Sequence, residues 1–138
     1  MRWFYKAAKS DNSLAQIMGT YNLGVAYATG AGVKIDDGKA YKLFARAAEA
    51  GYAKAQYNAG VFCEEGRGTE ADQKSAIRWY TAAAQQGEAE ALYTLGSCYL
   101  DGSGVDTDKT KAKALLIRAS DGGNRAALEL LKLHFPTP

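Results

Sequence analysis

Proline is nearly missing from this chain of 138 residues: Pro136 and Pro138 are the only two, so residues 1–135 contain none. Val and Ile are scarce as well, at four each, which leaves little of the β-branched material that sheets favour. Sandwiches, barrels and doubly wound sheets do not fit such a composition. An excess of charge of one sign is also lacking, since 17 Lys and Arg face 15 Asp and Glu for a net charge of +2. Phosphate binding needs a concentrated basic surface, so nucleic acid is not an expected partner. Long apolar runs are absent too. The longest uncharged stretch, Asn12 to Val33, is interrupted by Gly, Asn, Gln and Thr, and membrane insertion is not expected. The segment Met1 to Lys6 has no apolar run of signal-peptide length. A cytoplasmic location is therefore expected if Met1 is the native start. If the chain is a piece of something longer, that expectation lapses and an exported fragment is open.

Chemistry-bearing residues are equally thin. Cys63 and Cys98 stand 35 apart without a CxxC, and His134 is the single histidine. No zinc site can be assembled from these, and neither a metal nor a cofactor is expected. Two buried free thiols are favoured over a disulfide. No nucleophile, base and orienting group gather around His134, and Glu64-Glu65 are helix neighbours that do not face each other across a cleft, so no enzyme is expected.

What the chain has in abundance is Ala and Gly. They number 26 and 15, about 30% of all residues, and their placement is periodic. Gly24, Gly60 and Gly96 are 36 apart, as are Gly30, Gly66 and Gly102; Gly32, Gly68 and Gly104; and Gly51, Gly87 and Gly123. Tyr21, Tyr57 and Tyr93 keep the same step, as do Asp36, Asp72 and Asp108. A fixed period of this length marks a repeat architecture.

Each unit reads as two helices. Ala40, Leu43, Phe44, Ala47 and their counterparts 36 and 72 residues on form an i, i+3, i+4, i+7 stripe in the second one. The Asp column precedes that stripe by four residues, an N-cap position, and the column of Gly51 follows its last turn. The first helix ends at a GxG pair, where the chain can reverse sharply. A phosphate-cradling loop would need a preceding strand and a third glycine. The column of Gly24 lies inside the first helix, which predicts that another backbone crosses close by. The ends read as half units. Trp3 to Ala8 align with Trp79 to Ala84 if four residues are inserted before Tyr21, and Pro136 stops a last helix that Glu129 and Lys132 make polar. The expected organisation is one domain over 1–138. It comprises the end of a preceding second helix over 1–10, repeats over 13–51, 52–87 and 88–123, and a capping helix over 124–135.

The motif Leu95-Gly96-Ser97-Cys98-Tyr99-Leu100-Asp101-Gly102-Ser103-Gly104-Val105, followed by Asp108, Ala112, Ala119 and Gly123, resembles the Sel-one-like repeat (SLR), a relative of the tetratricopeptide repeat. Tyr21-Asn22-Leu23-Gly24 and Tyr57-Asn58-Ala59-Gly60 open the other two copies, and Trp79-Tyr80 with Ala83-Ala84 match the family's aromatic pair and double Ala. The resemblance implies an all-α, right-handed α-solenoid of antiparallel helix pairs, with three full repeats and a half repeat at each end. It also implies an adaptor that binds a partner protein or peptide and has no catalysis of its own. Ala59 in place of Leu, Cys63 of Tyr, Thr69 of Val and Ser120 of Ala depart from the pattern and suggest a slightly looser middle unit. The Cys pair within each repeat that some secreted members carry is absent.

In tetratricopeptide-like solenoids the first helices line the concave side. There the resemblance would place Tyr21, Asn22 and Val25, then Tyr57, Asn58, Val61, Glu64 and Glu65, then Tyr93, Thr94, Ser97 and Asp101. Tyrosines beside amides and hydroxyls suit peptide binding. The same Tyr column can instead fill the seams between units, and the three carboxylates can simply be solvated helix ends. Lys and Arg concentrate on the second helices while this strip holds acids and no base, so a neutral to basic peptide is the favoured ligand. The alternative is a structural module that associates end to end, with missing repeats or a second copy, through Trp3 and Phe4.

Overall fold

The computed structural model describes the backbone of residues 2–137 and the side chains of residues 14–137. Seven helices and no strand occur among the described residues. They are α1 (Arg2–Thr29), α2 (Asp37–Glu49), α3 (Ala53–Glu65), α4 (Gln73–Gln85), α5 (Ala89–Asp101), α6 (Lys109–Asp121) and α7 (Arg125–His134). Each packs chiefly against the helices before and after it, so the molecule is a linear stack of helix pairs, an all-α solenoid.

The repeat period is written in the caps. Asp36, Asp72 and Asp108 take extended backbone ahead of α2, α4 and α6. Their carboxylates accept from the backbone N–H of Lys39 at 3.0 Å, Ser75 at 3.2 Å and Lys111 at 3.0 Å. The Ser75 hydroxyl also donates to Asp72 at 2.8 Å, and these bonds to its charged form hold the Asp72 carboxyl below the usual range. Gly51, Gly87 and Gly123 follow the second helices with positive φ, as expected.

At the GxG turn, Gly66 (φ +70°) ends α3 in the left-handed region and Gly68 (φ +69°) continues the reversal. The second glycine also has a packing role that spacing alone did not suggest. A Cβ on Gly68 would strike the Asp37 carbonyl of the preceding repeat, and one on Gly104 would lie 3.0 Å from Ile77 Cγ1. The turns of the second and third units thus rest on the second helix of the unit before each. Arg67 reinforces the first of these seams by donating to Asp37 at 3.0 Å while stacking 4.2 Å above the Phe62 ring.

The helix-interior glycines mark the crossings, with one correction. Side chains fill the approach as much as backbone does. A Cβ on Gly24, Gly60 or Gly96 would come within 2.9, 2.6 and 2.9 Å of Phe44, Tyr80 and Leu116, themselves a column with the same period. The Ala76 carbonyl follows at 3.2 Å and that of Ala112 at 3.4 Å. These glycines are holes that receive one large side chain each.

The start of the chain differs from the later units in its helix boundaries. The turn expected after residue 10 is not made, because α1 runs without a break from Arg2 to Thr29. The columns give the reason. Asp11 occupies the place that Gly51, Gly87 and Gly123 hold elsewhere, so the left-handed residue that ends each second helix is missing. Trp3 and Phe4 lie outside the residues whose side chains are described.

The core is one continuous seam with two centres. Phe44 and Phe62 meet edge-on at 5.3 Å between α2 and α3, and Tyr80, Leu92, Leu95 and Leu116 fill the space between α4, α5 and α6. Gln56 is the one buried polar residue among the described residues. It donates to the Ala48 carbonyl at 3.2 Å and accepts from Gln86 at 3.0 Å. Cys63 and Cys98 are both free and buried.

Candidate protein-interaction surface

All twelve residues expected to bind a partner fall on the first helices: three on α1, five on α3 and four on α5. None is buried. Asn22, Glu64, Glu65 and Asp101 are exposed, and the remaining eight are half-buried. That intermediate exposure joins two readings of the tyrosines that looked exclusive. Tyr21 packs 5.1 Å from Tyr52 and 5.7 Å from Phe44, and its hydroxyl accepts from Asn58 Nδ2 at 3.3 Å across the repeat boundary. Tyr57 packs 5.7 Å from Tyr80. Each of these two rings is anchored in a seam and stays half-buried.

The carboxylates are not equivalent. Glu64 accepts from the Tyr80 hydroxyl at 2.7 Å. Burial, together with that bond, drives the Tyr80 phenol far above its ordinary range. Glu65 lies 3.7 Å from Arg67, which stands in the turn after α3. Asp101, by contrast, forms no ion pair within 4 Å among the described residues.

Glu64 and Asp101 converge on a cleft of about 450 Å³ between the second and third units. Its walls are Glu64, Gln73, Thr94, Ser97, Cys98, Asp101 and Ser103, with no basic side chain among them. Burial, then Glu64 and Asp101, push the Cys98 thiol up to about 11, so it stays protonated and inert at neutral pH. Two further acids, Glu88 at the N-cap and Glu90 in the first turn, stand at the start of α5. Burial raises the Tyr57 phenol, and Glu90, Glu64 and Glu88 raise it further against an opposing bond from Thr94. Glu88 and Glu90 open α5 in columns where the second unit has Tyr52 and Lys54, so no repeating pattern flagged them.

No three His, Cys, Asp or Glu among the described residues are placed to hold an ion. No helix among them is long and apolar enough to cross a membrane.

Stacked 36-residue helix pairs with an open first-helix strip define an α-solenoid repeat protein. A family model described as Sel1 repeat matches residues 1–12, 17–52, 53–88 and 89–124, and the chain belongs to that family. Among solved structures it is similar to a protective antigen with an SLR fold, present in uropathogenic Escherichia coli strains, at 32% identity and TM-score 0.84 over 96% of this chain. It is also similar to a Sel1 repeat protein from Oxalobacter formigenes, at 28% identity and TM-score 0.83 over 95% of the chain. The chain spans 28% of the first structure and 58% of the second. Helicobacter pylori cysteine-rich protein B shares the fold, with 18% identity, TM-score 0.73, and 89% of this chain matched to 95% of that one. No curated protein matches the chain. Sel1 repeat proteins are generally protein–protein interaction scaffolds, and the fold is a non-catalytic scaffold type.

Proposed function

We propose that this protein is an adaptor that takes a neutral to basic peptide segment of its partner along the first-helix strip. The acidic cleft between α3 and α5 supplies the charge preference. One observation carries the reading: Glu64 and Asp101 face a solvent-open cleft whose walls contain no base. A Lys or Arg side chain entering it meets two carboxylates and the hydroxyls of Thr94, Ser97 and Ser103. The ordered tyrosine edges on either side supply contact area at low entropy cost.

The test is selection of peptides from a random displayed library on the wild-type protein and on Asp101→Lys. Asp101 is the cleaner site, because Glu64 also holds the Tyr80 hydroxyl and its loss disturbs the core. Lys- and Arg-bearing peptides are expected on the wild type and depleted on the variant, with binding that weakens as salt rises. Adding Glu64→Lys should complete the loss. Selected peptides that are acidic, or that bind both proteins equally, overturn the assignment.

A further inference from the structure

The first helix carries a face that no side chain among the described residues covers. In the second unit Ala55, Ala59 and Phe62 are 0–4% exposed, because they pack against Phe44, Ala47 and Ala48 of the preceding second helix. In the third, Ala91, Leu95 and Cys98 are 0–6% exposed against Tyr80, Ala83 and Ala84 of α4. One period earlier the same columns are Gly19, Leu23 and Ala26 on α1. There Leu23 is 45% exposed, and a Cβ on Gly19 would meet nothing within 4 Å. This is a surface built to receive a helix, and among the described residues none lies against it.

The sequence of α1 supplies the complement. Residues 1–12 match the family model, and Trp3 to Ala8 align in sequence with Trp79 to Ala84 of a second helix. A second helix is what covers this face in the other units, yet the unbroken α1 carries residues 1–12 away from it. Helical register puts positions 4, 8, 12, 15, 19, 23 and 26 on one stripe, at spacings of three and four. That stripe is complementary to itself when reversed. In that reversed register position 4 falls opposite 23, position 8 opposite 19, and position 12 opposite 15. An antiparallel pairing of two identical helices requires this kind of isologous match, and its small central residues allow close approach.

We propose that a second copy of this chain covers the face, through antiparallel pairing of the two α1 helices about a two-fold axis between residues 13 and 14. The amino-terminal turns of each copy occupy the place that a preceding second helix takes in the later repeats. The absent turn glycine at position 11 keeps each helix extended and directs the pairing to a partner, the usual logic of an exchanged element.

Sedimentation of the full chain over micromolar to millimolar concentrations reads the assembly. A dimer is expected, with Gly19→Glu plus Leu23→Glu giving a monomer of unchanged helicity, since both sites are exposed within a single copy. A spin label on Thr29→Cys reads the direction, the two native thiols being buried. At 1.5 Å per residue the antiparallel pair separates the labels by about 45 Å along the axis, whereas a parallel pair would bring them to roughly 10 Å. A monomer throughout overturns the proposal, whether residues 1–12 fold back or another segment covers the face. So does a dimer that survives the double substitution, or one with closely spaced labels.

Discussion

Replacing Gly60 by Ala should destabilise the protein, although Ala is the better helix former. Propensity alone predicts a gain of about 1 kcal/mol from this change inside α3. The new Cβ would lie 2.6 Å from Tyr80 Cε1, 2.8 Å from Cδ1 and 3.2 Å from the Ala76 carbonyl. Tyr80 cannot retreat, since it is 1% exposed and its hydroxyl is tied to Glu64 at 2.7 Å. Overpacking of this kind costs about 1–3 kcal/mol, so the net effect is a loss of up to about 2 kcal/mol. Gly19→Ala is the control, because its Cβ would meet only open space and the propensity gain should survive in dilute solution. Urea denaturation at unchanged m-value reads both. In a Tyr80→Ala background the Gly60→Ala penalty should vanish, which isolates the contact as a double-mutant cycle. If Gly60→Ala raises the midpoint as Gly19→Ala does, the knob-in-hole account of this column is wrong.

Gly68→Ala should cost more than Gly32→Ala. Both have positive φ and share a left-handed strain of about 1–2 kcal/mol, but only at Gly68 would the Cβ strike the preceding repeat, and thermal melts of the pair isolate the seam. Asp108→Ala removes the N-cap of α6 and should lower stability by about 1 kcal/mol, while Asp108→Asn or Ser restores most of it. Stability should fall above pH 9, because the Cys98 thiol is pushed up to about 11 and the Tyr80 phenol is raised well past its unfolded value near 10. Each group is bound to its proton more tightly folded than unfolded, so its contribution is complete below its unfolded pKa and drains as pH rises toward the folded one. Tyr80→Phe should cost about 1 kcal/mol at neutral pH and flatten the decline above pH 10, as followed by urea midpoints across the alkaline range.

Much of the architecture was legible because the repeat prints each decision three times. One Asp before a helix is a weak signal, whereas Asp36, Asp72 and Asp108 at one interval leave no other reading, and all three accept backbone N–H bonds. The same redundancy hid what happens once. The loss of the turn at residue 11 depends on an absent glycine in a half unit, and Glu88 and Glu90 sit in columns whose other members are not acidic. The candidate cleft was half legible. Glu64, Thr94, Ser97 and Asp101 follow from helix geometry, but Gln73 and Ser103 reach it from the ends of turns, whose paths are set by packing on the preceding unit.

The departures of the middle unit show why columns read one at a time mislead. Cys63 and Thr69, in place of Tyr and Val, suggested a looser repeat, yet Cys63 is buried and both residues meet one group, the Tyr41 hydroxyl of the preceding second helix. In the first and third units a tyrosine at this position lies under a lysine: Tyr27 under Lys39 at 5.3 Å and Tyr99 under Lys111 at 5.1 Å. The second unit gives up both partners, with Cys63 replacing the ring and Ser75 the ammonium. The small thiol leaves room for the phenol of Tyr41, whose hydroxyl stands 3.7 Å from its sulfur. Ser75, released from an aromatic, turns to Asp72 and strengthens the cap of α4. Three substitutions in three columns are therefore one exchange, an aromatic moved from the first helix of one unit to the second helix of its neighbour. Its volume stays in the seam, and the packing of the middle unit is preserved.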